Sequence, residues 1–172
     1  MISERRISES RVIRTALAVE AEVIAELHHR ARSTYYPDGV PQGDVDWADA
    51  WRSSIERPNA QVLCAVEHGA IVAVASFRTP DGAPAETVKL YQFHVAPDRW
   101  RSGIGTSLHA ACVEAWQADG RRSAVLDVHV DNARAQAFYA RRGWVPDPEN
   151  PPAEGDHHIF LRLTVPGATP GE

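Results

Sequence analysis

The fold turns on the stretch Phe93-His94-Val95-Ala96-Pro97-Asp98-Arg99-Trp100-Arg101-Ser102-Gly103-Ile104-Gly105-Thr106. The residues leading into it, Thr87 to Val95, are rich in β-branched and aromatic side chains and read as a strand. Pro97 opens a loop. From about Gly103 to Asp119 the apolar residues Ile104, Leu108, Ala111, Cys112 and Ala115 recur on one helical face, and Gly120 stops the helix where glycine is favoured. Ser123 to Val130 then alternates, with Ala124, Leu126, Val128 and Val130 against Val125, Asp127 and His129, as a strand does. A strand, a helix and a strand in succession require a crossover, so two neighbouring strands are parallel.

Outward from this unit, Arg11 to Ala16 reads as a short strand. A helix from about Glu20 to Arg32 follows, with Val23, Ile24 and Leu27 at helical spacing. Tyr35 to Pro41 must be a loop, because two prolines and a glycine cannot continue a helix. Asp46 to Glu56 is a second helix, with Trp47, Trp51 and Ile55 at four-residue steps. Val62 to Glu67 and Ile71 to Phe77 are apolar runs joined by His68-Gly69-Ala70, a hairpin signal. Past Val130, Asp131-Asn132 caps a helix from about Ala133 to Arg142, Gly143 ends it, Trp144-Val145 begins a short strand, and His158 to Thr164 supplies the last strand. The expectation is an α/β fold with a mixed, mostly antiparallel central sheet and helices on both faces, in the order β-α-α-β-β-β-α-β-α-β-β. Residues 10–164 form its single domain, and residues 1–9 and 165–172 are loose ends.

Composition agrees with such a domain and narrows its partners. The chain has 172 residues, 44% of them hydrophobic, and a formal net charge of −5. This apolar fraction excludes disorder, and mild acidity with scattered arginines argues against nucleic acid. No apolar run approaches the ~18 residues of a membrane span, and the first residues lack the apolar stretch of a signal peptide, so the expected location is cytoplasmic. Cys64 and Cys112 form no Cys-x-x-Cys pair and read as buried apolar residues. Of the 18 basic residues, only Lys89 is a lysine. Coding bias towards arginine explains the other basic positions.

Between the strand and the helix, the backbone N–H groups of Arg101 to Thr106 can face an anion at a helix amino terminus. Gly103 and Gly105 let it approach without a Cβ in the way. A dinucleotide fingerprint would need a third glycine where this chain has Leu108, and no Gly-Lys-Ser or Gly-Lys-Thr of a P-loop follows. A pyrophosphate cradle of a third kind remains. Here the chain resembles the GCN5-related N-acetyltransferase (GNAT) superfamily, in which a strand ending Val-x-Pro is followed by Arg or Gln, two residues, Gly, any residue, then Gly or Ala. Val95-Ala96-Pro97 and Trp100-Arg101-Ser102-Gly103-Ile104-Gly105 match it, with Trp100 at the Arg or Gln position. Leu126-Asp127-Val128, Asn132, Ala135, Phe138-Tyr139 and Gly143-Trp144 match the second family segment.

The resemblance implies acetyl-CoA as acyl donor, no metal, and a primary amine of a small molecule or a peptide terminus as acceptor, with a homodimer among the expected assemblies. Its pyrophosphate would lie on Arg101, Ser102, Gly103, Ile104, Gly105 and Thr106, with His94 and Val95 beside the thioester and the Val95 N–H serving the oxyanion. Asn132 would contact the pantetheine or cap its helix. Tyr139 would be the general acid towards the departing thiolate. For the base, relatives often carry a glutamate six positions before Val95, which here is Lys89. Asp127 is favoured instead, over Glu86, Tyr91 or a water-mediated His94. Lys89 at that position keeps open a non-catalytic CoA-thioester sensor or protein-interaction domain. A toxin that acetylates charged tRNA shares the fold but fits poorly with the acidic balance.

Two further sets of residues bear on substrate. His28-His29 and His157-His158 are adjacent pairs whose members diverge, so they are expected to be solvated rather than metal-binding. The stretch from Pro146 to Asp156 holds Asp147, Glu149, Glu154 and Asp156 with no basic residue; these acids are candidates to attract a cationic amine, against the plainer reading of a solvated loop.

Overall fold

In the computed structural model of the chain, residues 11–36, 38–40 and 43–167 are described. The elements run β1 (Arg11–Thr15), a 3-10 turn (Ala18–Glu20), α1 (Ala21–Ser33), α2 (Trp47–Glu56), β2 (Ala60–Glu67), β3 (Ala70–Arg78), β4 (Thr87–Val95), a second 3-10 turn (Pro97–Arg99), α3 (Ile104–Ala118), β5 (Ser123–His129), α4 (Ala133–Arg141), β6 (Val145–Pro146) and β7 (His158–Thr164). The strand order is β1-β2-β3-β4-β5-β7-β6. The crossover forced by the strand-helix-strand pattern is present, since β4 pairs parallel with β5 whereas β1 with β2, β5 with β7 and β6 with β7 are antiparallel.

The chain packs as two compact units, Met1–Phe77 with Gln92–Cys112, and Arg78–Tyr91 with Val113–Glu172. The first has a core of Ala16, Ala21, Ile24, Leu27, Trp51, Val62, Cys64, Val74 and Ala96. Burying a Leu, Ile or Val side chain contributes roughly 1.5–3 kcal/mol, so this cluster fixes α1 and α2 on β2 and β3. The buried stripe of α1 is Ala21, Ile24, Leu27, His28 and Ala31, while Val23, expected on that stripe, is exposed. The helical period puts position 28 one turn after Ile24, so His28 takes the place the reading gave to Val23. At the β2–β3 turn, His68 (φ 50°) and Gly69 (φ 80°) both lie in the left-handed region, as the two-residue hairpin turn requires.

In the second unit, Ala124, Leu126 and Val128 of β5 and Leu161 and Leu163 of β7 are buried, and Val125, Asp127, Phe160 and Arg162 occupy the other face. The β4–β5 ladder is short, Thr87 with Ser123, Val88 with Ala124 and Lys89 with Val125, while β5 pairs with β7 along its whole length from Ser123 to His129. The expected loose tail from Val165 needs one change. Val165 is buried, its N–H donates to the Arg122 carbonyl at 2.9 Å, and Gln117 donates to the Pro166 carbonyl at 2.6 Å. Residues 1–9 and 168–172 lie outside the described residues, as do Pro37 and Pro41 of the loop after α1.

Candidate active site

The turn between β4 and α3 is built from the first unit. Ala96 N–H donates to the Val72 carbonyl at 2.8 Å, tying the end of β4 to β3. Trp100, at the position where relatives carry Arg or Gln, donates its indole N–H to the Val95 carbonyl at 3.3 Å. Arg101 (φ 68°) and Gly103 (φ 82°) are both left-handed. Both residues lie in the stretch that leads into the amino terminus of α3 (Ile104–Ala118). Arg11 of β1 braces it, donating to the Ser102 carbonyl (2.9 Å) and the Ser107 hydroxyl (3.2 Å), while its Nε is held by Glu67 at 2.8 Å. Nothing near Arg101 in sequence announces Arg11, and it was missed for that reason. Ile104 and Leu108 are fully buried and anchor α3, and Trp116 extends the buried face begun at Cys112 by one further turn.

His94, placed beside the thioester by the resemblance, belongs to an aromatic cluster in the same unit. Its ring stacks on His28 with centroids 4.3 Å apart and planes 24° from parallel, and its Nε2 lies 2.7 Å from Gln92 Oε1. Trp51 donates its indole N–H to His28 Nδ1 at 3.1 Å, which makes Nδ1 the acceptor and leaves the ring proton on Nε2. Trp47 meets the His28 ring edge-on at 4.7 Å. His28 is therefore a buried core residue, correcting the expectation of a solvated histidine; the partner that allows burial, Trp51, comes from a different helix. His29 and His158 are exposed as expected.

Burial pushes the His28 imidazole down to about 4, with the charge of Arg32 adding to it, and burial also holds His94 well below the usual histidine range. The unfolded chain binds a proton on His28 near pH 6.5 and the folded chain only near 4, so stability is complete above the first value and lost as pH falls towards the second. This single group is expected to remove about 3 kcal/mol across that window. Urea unfolding at pH 7 and pH 4.5 checks it, because a His28→Gln variant, which keeps an acceptor for Trp51, should lose much less on acidification.

In the second unit, Lys89 Nζ lies 3.0 Å from Asp127 Oδ1 and 4.9 Å from the Tyr91 ring centroid, and exposed His158 lies 3.9 Å from Asp127 Oδ2. Parallel register explains the pair, since Lys89 faces Val125 and Asp127 is the next residue on the same face of β5. Asn132 caps α4, its Oδ1 accepting from the Ala135 N–H at 3.1 Å. Tyr139 is buried at 6% exposure, its ring centroid 5.7 Å from Trp144 and 5.6 Å from Phe138.

The stretch from Pro146 to Asp156 is not simply a solvated acidic loop, because Asp147 and Glu149 are paired within the fold. Asp147 is buried and accepts from the Glu149 N–H, Asn150 Nδ2 and Arg162 Nε, and Glu149 pairs with Arg162 at 2.8 Å. Burial opposes ionisation of Asp147, yet these donors outweigh it and hold the carboxyl below its usual range. The stretch contains no base, but β7 supplies one; among the described residues Glu154 and Asp156 have no cation within ion-pair distance, and Asp156 accepts from the Ala153 N–H. Next to these residues a cavity of about 470 Å³ is lined by Lys89, Glu86, Arg122, Val125, Phe160 and Arg162 among others.

Cys64 and Cys112 are free and buried; burial raises both thiols, that of Cys112 to about 12. Among the described residues no group of three His, Cys, Asp or Glu side chains is placed to hold a metal ion, and no helix is long and apolar enough to cross a membrane.

For a chain with this turn between β4 and α3, comparison with known proteins gives the class. The model of the acetyltransferase (GNAT) family matches residues 24–144, and the chain belongs to that family. Its fold is shared with PaiA N-acetyltransferase from Thermoplasma acidophilum, solved with coenzyme A (15% identity, TM-score 0.72, 90% of this chain and 99% of that one). The ribosomal-protein-S18-alanine N-acetyltransferase from Escherichia coli is similarly related (18% identity, TM-score 0.72, 94% and 98%). So is YncA from Salmonella typhimurium with its cofactor acetyl-CoA (22% identity, TM-score 0.68, 91% and 94%). Among curated proteins none matches the sequence.

Proposed function

We propose that the chain transfers an acetyl group from acetyl-CoA to the primary amine of a small molecule or a peptide terminus by direct attack within a ternary complex. The observation that carries the reading is the turn from Trp100 to Ile104, where two left-handed residues, braced by Arg11, open onto a helix amino terminus. That geometry suits a pyrophosphate, whose charge the N–H groups of Arg101, Ser102, Gly103, Ile104, Gly105 and Thr106 offset. Acetyl-CoA supplies an activated acyl group.

The chain's own residues do the rest. The Val95 N–H, next to His94, donates to the thioester oxygen as negative charge gathers there. Asn132, whose Oδ1 is spent on the helix cap, offers its Nδ2 to the pantetheine. The attacking amine gives its proton to Asp127, the new C–N bond forms as the C–S bond breaks, and Tyr139 passes its phenolic proton to the departing sulfur. Tyr139 is reprotonated from water.

One observation favours a second reading, a domain that binds CoA thioesters without turnover: the Asp127 carboxylate is already committed to Lys89 at 3.0 Å. Thiol release from acetyl-CoA, measured with a panel of primary amines between pH 6 and 9, decides between them. Amine-dependent release is the expected result. Saturable CoA binding with no amine-dependent release at any pH would establish the sensor reading.

A further inference from the structure

The cluster around His28 ends in a cation, Arg32, that no carboxylate among the described residues pairs with. On α1, His28 and Arg32 are four residues apart and share one face. The Arg32 guanidinium carbon sits 5.3 Å from the Tyr36 ring centroid and 5.8 Å from that of Trp47, and Nη2 donates to the Tyr36 hydroxyl at 3.4 Å. Other partly buried arginines of the same unit are matched, Arg11 with Glu67 and Arg14 with Glu20. Among the described residues Arg32 has no carboxylate within ion-pair distance, and its charge bears on the neighbouring His28, His94 and Tyr35.

Withdrawing a guanidinium from water is costly, and aromatic faces attract it without cancelling its charge. Its planar fork matches a carboxylate in bidentate fashion, and the two rings hold that fork in place. The cluster also leads towards the reacting centre. His28 is one helical turn from Arg32, His28 stacks on His94, and His94 adjoins Val95, the residue assigned above to the thioester oxygen. We propose that Arg32, held by Tyr36 and Trp47, receives a carboxylate of the acceptor, so that the substrate class is small amino acids, primary amines that also carry a carboxylate. This rests on the acetyltransferase reading and narrows its acceptor.

The test compares matched acceptors, an amino acid and its primary amide, at equal acetyl-CoA. The wild-type kcat/KM for the acid should exceed that for the amide by about tenfold or more, as expected for one charge-assisted bidentate contact, and the difference should lie mainly in KM. In Arg32→Gln the acid-to-amide ratio should fall close to one. A wild-type preference for the amide, or a ratio that Arg32→Gln leaves unchanged, would overturn the assignment. If no amine is acetylated, the acetyltransferase reading fails separately, and tryptophan fluorescence still reads Arg32 because Trp47 lies against it. A response to the acid alone, lost in Arg32→Gln, supports the carboxylate seat; equal responses to acid and amide, or none to either, overturn it.

Discussion

Replacing Tyr139 by phenylalanine is expected to lower kcat by about a hundredfold or more, the range over which a positioned acid contributes. The variant keeps the ring, which packs on Phe138 and Trp144, and removes only the hydroxyl. The affinity for CoA should hardly move, because the groups assigned to it are backbone N–H groups of the Arg101–Thr106 turn and the Asn132 side chain. A combination of steady-state kinetics with CoA titration separates these effects. Stability should fall by about 1 kcal/mol at most, as for the loss of one hydrogen-bonding group, and a thermal melt controls for it. A Tyr139→Phe enzyme with wild-type kcat would remove the general acid from the scheme.

The largest stability effect is expected at Trp51. Its ring is 3% exposed in the core with Ile24, Leu27 and Val62, and its N–H satisfies buried His28. Trp51→Ala should cost about 3–5 kcal/mol by leaving a cavity, a large share of the roughly 5–15 kcal/mol that holds a domain folded. Trp51→Phe keeps most of the apolar volume and leaves His28 Nδ1 without a donor, at a cost of about 1–3 kcal/mol. Urea denaturation of the two variants side by side divides packing from hydrogen bonding. Equal, small losses in both would show that the indole is not a core element.

Sequence pattern reveals local structure and loses distant pairing. The run from Thr87 to Val130 could be read element by element because alternation, helical period and glycine each act within a few residues, and its crossover made one parallel pair unavoidable. His28 lay on a legible helical stripe, but its burial depended on Trp51, 23 residues further along, and a histidine with no visible partner was read as solvated. The acidic stretch failed for the same reason. Asp147 looks unpaired along the chain, whereas β6 and β7 place Val145 opposite Arg162 and so bring a guanidinium to it. Lys89 and Asp127 each stood out in the sequence as candidate site positions, yet their ion pair followed only from the β4–β5 register. Arg32 gave no signal at all, since its meaning lies in two rings, one just past its own helix and one on the next.

The two cysteines carry a practical consequence. A thiol reacts as its thiolate, and sulfur sealed in a core with a raised pKa presents almost none at neutral pH. An aromatic disulfide reagent added to a reaction mixture will therefore colour in proportion to liberated CoA and not to enzyme. Turnover can be followed continuously in one cuvette, at high protein concentration and over many acceptors, without a blank that drifts as the protein itself is modified.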